Sequence, residues 1–216
     1  MVQPRLSLID DSNRGDHFHL TPADTCLYLY EYTSGRNYAF SVTNNLISNL
    51  KKKPSQAGQP GYLYKARAIQ SCGQALGQAL NPDWLSNATL VPVPGSKATG
   101  HFDLDDRVER ICRLMRQPQP DVRSLVVQNQ STIASHEADQ GERVTVDELL
   151  NLYTINEELT VPAPRTIGIV DDVLTAGTHY RAMHTVLSQR FPTAPIIGLF
   201  VARRVFPDNA ANFDDL

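Results

Sequence analysis

The stretch 166–187, TIGIVDDVLTAGTHYRAMHTVL, decides how the rest of the chain is read. Residues 167–170 form a short β-branched apolar run, preceded by Pro162 and Pro164 and followed by two aspartates, which is the pattern of a buried strand over 166–170. Asp171 and Asp172 lead through Val173 and Leu174 into the small-residue turn Thr175-Ala176-Gly177-Thr178. Beyond the turn Tyr180, Met183, Val186 and Leu187 recur at helical spacing. The order is strand, acidic pair, tight loop, helix.

Each part suits a phosphorylated sugar. A tight loop running into a helix start turns consecutive backbone N–H groups and the positive end of the helix dipole toward a phosphate. Gly177 allows close backbone approach, and the Thr175 and Thr178 hydroxyls add donors. Two adjacent carboxylates at the carboxyl end of a strand fit acceptance of hydrogen bonds from vicinal ribose hydroxyls. A solvated Asp-Asp turn after a core strand is the plain alternative.

IVDDVLTAGT resembles the 5-phosphoribosyl-1-pyrophosphate (PRPP) signature of type I phosphoribosyltransferases: apolar residues, two acids, two apolar residues, then a Thr/Gly-rich phosphate loop. The resemblance implies that Asp171 and Asp172 hold the ribose hydroxyls. It also implies that Leu174, Thr175, Ala176, Gly177 and Thr178 grip the 5-phosphate. The chain departs from the pattern at Ala176, where a second Thr is common, and at His179, which is bulkier than the residue often found after the loop.

A second strand, loop and helix precede this one. Residues 88–93 read as a strand running into PGSKATG, followed by a helix with Leu104, Val108, Ile111, Cys112 and Met115 on one face. VPVPGSK resembles the VPVP loop of the ComF-type branch of the family, which implies that Pro94, Gly95, Ser96 and Lys97 cradle pyrophosphate. FVARRVF, in the last predicted strand (196–202), resembles the terminal strand of that branch. The zinc ribbon common at the start of ComF-type proteins is missing, because the chain has no CxxC pair. An apolar run at 122–127 is followed by the polar, aperiodic stretch 128–143, whose length suits a lid or binding loop. It falls where the family carries a mobile catalytic loop. Ser135, His136 and above all Arg143 are its candidates, a permanent cation being what closure over pyrophosphate requires.

The N-terminal part is read from pattern alone. Residues 1–24 are polar and aperiodic, and His17 and His19 are taken as a surface pair. The aromatic and β-branched runs 26–32 and 38–42, joined by TSGRN, predict a hairpin that forms a small hood with the lid. A short helix through Leu46, Ile47 and Leu50 follows, then a loop at 54–61. An amphipathic helix carries Ala66, Ile69, Gly73, Leu76 and Leu80 and ends at Asn81-Pro82. Gly73 and Gly77 are read as points of close helix packing.

At 216 residues, 41% hydrophobic and 20% charged, the composition suits one globular domain with a small subdomain. No stretch approaches a bilayer span, so a cytoplasmic location is expected. Cys26, Cys72 and Cys112 are scattered and read as small buried residues. A formal charge of -3 argues against a broad nucleic-acid face, although Lys51-Lys52-Lys53 is a local basic cluster.

The expected fold is α/β, a mostly parallel sheet flanked by helices with a small N-terminal hood: 1–87 tail, hood and helices, 88–206 core with its lid at 128–143, 207–216 acidic tail. The expected function is transfer of ribosyl 5-phosphate from Mg-PRPP to a nitrogen acceptor with release of pyrophosphate. Asp171, Asp172 and Arg143 are its candidate catalytic residues, and Mg2+ is held mainly through PRPP with no protein ligands assigned. The alternative is a non-catalytic PRPP-fold sensor or a subunit of a larger assembly. The acceptor, the oligomeric state and the role of the first 24 residues are open at this level, with a homodimer or partner proteins both compatible.

Overall fold

The chain alternates between segments whose apolar residues recur every second position and segments where they recur every third or fourth, and the computed structural model turns these into strands and helices. It describes residues 3–97, 101–128 and 144–207. In chain order these hold β1 (Ser7–Leu8), β2 (Thr25–Thr33), α1 (Val42–Leu50), α2 (Leu63–Ala79), α3 (Pro82–Asn87), β3 (Thr89–Pro92), α4 (Arg107–Arg113), β4 (Asp121–Val122), β5 (Val126–Gln128), α5 (Val146–Leu152), β6 (Tyr153–Ile155), β7 (Ile167–Leu174), α6 (Thr178–Arg190) and β8 (Ile196–Val205). Several helices start on the cap their sequence supplies. Ser41 accepts from the Asn44 N–H at 3.0 Å to open α1, and Thr145 and Glu148 form a capping box at α5.

Six strands form one sheet in the order β1-β2-β8-β7-β3-β4, in which only β1 pairs antiparallel. The protein is thus α/β, with a mostly parallel mixed sheet covered on both faces, as the strand and helix patterns predict. One face packs Ile167, Ile169 and Phe200 against Tyr180, Met183 and Leu187 of α6 and Leu149 of α5. The other packs Val170, Leu199 and Val201 against Ile47 of α1, Ile69 and Leu76 of α2, and Ile111 of α4. A Cβ at Gly73 would lie 2.7 Å from Leu114 Cβ, and one at Gly77 would overlap the Met115 carbonyl, so the two glycines do permit α2 to press onto the end of α4. Cys26, Cys72 and Cys112 are buried free thiols. Among the described residues, no helix is long and apolar enough to cross a membrane.

Three expectations are corrected. The hairpin over 26–42 does not form: β2 pairs in parallel with β8 (Tyr28 with Phe200, Tyr30 with Ala202), and 38–41 lead into α1 instead of a strand. An inner position beside β8 satisfies the backbone of β2 with a partner far away in sequence, and the Ser41 cap starts a helix where a second strand was expected. The run 122–127 is split, β4 joining the main sheet while β5 pairs antiparallel with β6 in a separate two-stranded sheet. The strand expected to stop at 170 continues through both aspartates to Leu174.

Candidate functional site

β3 and β7 are neighbours, yet the chain leaves them in opposite directions. From β3 it crosses through α4 to β4 at the sheet edge, and from β7 through α6 to β8 on the other side. Parallel crossovers are right-handed, so connections running in opposite directions must lie on opposite faces, and α4 and α6 do. The loops after β3 and β7 therefore diverge and leave a crevice at the carboxyl ends of the strands, the place where open α/β sheets bind ligands. Pro92 pairs with Val170, and Val93 N–H donates to the Val170 carbonyl at 2.9 Å. β3 ends there while β7 continues from Asp171 to Leu174, so both aspartates lie beside the start of the 93–97 loop.

The two acids, expected to act alike, have different surroundings. Consecutive residues of a strand point to opposite faces, and Asp172 points toward α1 and α4. Its Oδ2 accepts from Arg107 Nε at 2.8 Å and lies 2.7 Å from Arg107 Nη2, while Lys51 Nζ stands 4.0 Å from Oδ1. Arg107 also donates to Asp105 Oδ2 at 2.9 Å, and the buried Lys65 ammonium donates to the same oxygen at 2.7 Å and to the Leu50 and Lys52 carbonyls. Burial pushes the Asp172 carboxyl upward, but the Arg107 and Lys51 charges and the Arg107 hydrogen bonds outweigh it and hold the group well below the usual carboxylate range. Asp171 accepts the Asp172 N–H at 2.7 Å, and among the described residues no cation lies within ion-pair distance of it. Burial, with the neighbouring Asp172 charge, raises it to about 7.

The 175–177 loop is held from behind. Gly177 has φ 87°, a left-handed conformation that costs other residues energy, and it opens α6. The Thr175 carbonyl is hydrogen-bonded by His17 Nδ1, and the Ala176 carbonyl accepts from His19 N–H at 3.0 Å. Arg181 secures this N-terminal strap by donating to the His19 carbonyl at 3.0 Å and pairing with Asp24. With these carbonyls engaged, the N–H groups of Ala176, Gly177 and Thr178 have no backbone acceptor among the described residues. They are free to meet an anion at a helix start. A Cβ at Gly177 would lie 3.2 Å from Leu20 Cδ2, so its hydrogen faces the strap. His17 is fully buried, which corrects the surface-pair reading: its ring is spent on a loop carbonyl. His179 shares a 2.8 Å hydrogen bond with the Tyr153 hydroxyl on β6, and burial lowers its imidazole to about 4.

Pro94, Gly95 and Lys97 line a cavity of about 250 Å³ with Leu104, Val126 and Gln128, and its walls include neither Asp171 nor Asp172 nor any residue of the 175–178 loop. Gln128 Nε2 donates to the Ser96 carbonyl at 3.3 Å. Arg143, Ser135, His136 and all of the expected lid beyond Gln128 lie outside the described residues, as does the acidic tail beyond Pro207. The structure thus brings Asp171, Asp172 and both loops to one edge of the sheet. It adds Arg107, Lys51, Lys65 and His17, which sequence reasoning missed. Among the described residues no group of three or more His, Cys, Asp or Glu side chains could hold a metal ion. No family model matches the chain, and no curated protein matches it.

Proposed function

We propose that the crevice between β3 and β7 binds PRPP and that the protein is a phosphoribosyltransferase of the type I fold, transferring ribosyl 5-phosphate to a nitrogen acceptor with release of pyrophosphate. One observation carries the reading: the two loops that resemble phosphate cradles leave adjacent parallel strands at the point where the crossovers change direction, with Asp171 and Asp172 between them. On this reading the amides of Ala176, Gly177 and Thr178 receive the 5-phosphate, and Pro94, Gly95, Ser96 and Lys97 face the pyrophosphate. Asp171, the acid without a cation partner, accepts from a ribose hydroxyl. As C1 separates from pyrophosphate the ribose gains positive charge, and a carboxylate nearby stabilises it. A divalent metal would arrive on the pyrophosphate and would neutralise charge on the leaving group. Asp171, lifted to about 7 by burial and by a like charge, is a site that gains from an approaching cation.

A second reading, a protein that binds PRPP without turning it over, also has an observation behind it. Asp172, half of the acidic pair, is neutralised by Arg107 and committed to joining β7 to α4. Calorimetry with Mg-PRPP, followed by a pyrophosphate-release assay across a panel of purine, pyrimidine and amine acceptors, tests both. Binding with release supports transfer, binding without release for any acceptor supports the second reading, and absence of binding rejects both.

A further inference from the structure

We propose a nucleotide-binding site on the face formed by α1 and the start of α2, on grounds independent of the phosphoribosyl reading. Residues 33–82 include Arg36, Lys51, Lys52, Lys53, Lys65 and Arg67 and no Asp or Glu, a local excess that the overall charge of -3 conceals. The same stretch leaves three large rings in water: Tyr38, Phe40 and Tyr64 are 64%, 53% and 49% exposed. Arg36 lies over the Phe40 ring at 5.4 Å, and Lys52 and Arg67 each lie 5.4 Å from the Tyr64 centroid. Acids that reach this side from the 101–106 segment are already engaged, Asp103 by Ser55 and Asp105 by Lys65 and Arg107. Exposed rings interleaved with cations match what a base and its phosphate require, a stacking surface beside positive charge.

The cavity on this face has the matching size and edges. Tyr38, Asn45, Ser48, Asn49, Lys52 and Tyr64 enclose about 330 Å³, within the range of roughly 300–1,000 Å³ usual for small-molecule sites. Asn45 and Asn49 are one helical turn apart on α1, and Asn49 Nδ2 donates to the Asn45 carbonyl at 3.0 Å and to its Oδ1 at 2.9 Å. That arrangement leaves Asn45 Nδ2 as a donor and Asn49 Oδ1 as an acceptor, neither with a partner among the described residues. A paired donor and acceptor on a cavity wall can read the edge of a base. Lys52 Nζ is fixed at the wall by the Gly61 carbonyl at 2.7 Å, so its charge is pre-positioned.

A free nucleotide and a nucleotide within a single strand offer this same chemistry, and the experiment separates them. AMP is titrated calorimetrically, and a labelled oligothymidylate of about a dozen nucleotides is titrated by fluorescence anisotropy, at low and at moderate salt. At least one probe should bind. Tyr38→Ala and Tyr64→Ala should each weaken binding about tenfold, as loss of a stacking ring does, while Tyr64→Phe should leave it unchanged. Tyr38 is more than half exposed and Tyr64 about half, so circular dichroism should show the fold intact in every variant. AMP binding with no gain for the strand assigns the site to a free nucleotide. Tighter, salt-steep binding of the strand assigns it to single-stranded nucleic acid. No binding of either probe overturns the proposal. So does binding unaffected in the Tyr38→Ala, Tyr64→Ala double variant, since the ligand would then sit elsewhere.

Discussion

Arg107 grips Asp172 with two nitrogens, at 2.8 and 2.7 Å, although the residues lie on different elements and far apart in the chain. The pair is largely buried, at 18% and 6% side-chain exposure, and the same guanidinium also bonds Asp105. Removing one partner of such a pair leaves a buried charge uncompensated. Arg107→Met should therefore destabilise the fold by about 3–5 kcal/mol, and Asp172→Asn should also be clearly destabilising, both measured by urea unfolding. Asp171→Asn breaks no ion pair and should not destabilise. Equal effects of Asp171→Asn and Asp172→Asn would refute this division of roles.

The acids also set the pH dependence in opposite senses. Asp171 is raised to about 7 when folded, against an unfolded value of about 3.9. Between those values the unfolded chain has released the proton and the folded chain keeps it, so stability falls as pH rises through that window. Asp172 is held low, so its contribution is present above the unfolded value and is lost as pH drops below it. Urea unfolding of the wild type and Asp171→Asn from acidic to mildly alkaline pH should give similar stabilities near pH 4 and a growing advantage for the variant toward pH 7. A constant difference across the range would show that the carboxyl titrates normally.

Part of this was legible beforehand. Strand β7, its loop and α6 were readable because one continuous stretch holds the apolar run, the acids, the glycine and the helical spacing. The β3 unit was readable for the same reason. Arg107 was not: in sequence it is one more charge on an amphipathic helix, and only the crossover brings α4 over Asp172. CLYLYEY and the run after it read as a hairpin because local pattern favours the run that follows, whereas β2 lies between β1, which precedes it, and β8, at the other end of the chain. His17 lies in a polar segment with no periodicity, and nothing there signals that the loop after β7 will come to rest on it.

Gly177 and Thr178 separate backbone shape from hydrogen bonding. Gly177→Ala places a Cβ at φ 87°, 3.2 Å from Leu20, and should cost roughly 1–3 kcal/mol while weakening ribose 5-phosphate binding. The substitution would strain the loop against the strap instead of filling the cradle. Thr178→Val removes a hydroxyl that has no partner among the described residues and leaves the backbone alone, so it should lower affinity with little change in melting temperature. Unchanged affinity in both variants, measured by calorimetry, would remove this loop from the site.

His17 is fully buried with Nδ1 on the Thr175 carbonyl. A carbonyl only accepts, so Nδ1 carries the proton, and Nε2, bare in the neutral ring, has no partner among the described residues. Burial lowers the imidazole, helped by the Arg203 and Arg204 charges and opposed by the Thr175 hydrogen bond and Asp16. The folded state therefore resists a proton that the unfolded chain accepts near pH 6.5, and stability should fall as pH drops through that value. His17→Leu removes the donor and should speed exchange of the His19 amide, whose N–H bonds the Ala176 carbonyl in the next peptide, since nothing then orients the Thr175 peptide. Asn carries an N–H at nearly the same distance from its backbone as Nδ1, so His17→Asn should restore slow exchange while abolishing the acid-side loss. Hydrogen exchange of the three proteins at pH 5 and pH 7 makes the comparison. If His17→Asn exchanges as fast as His17→Leu, the histidine is merely filling space beneath the loop, and the idea of a strap that orients its peptides is wrong.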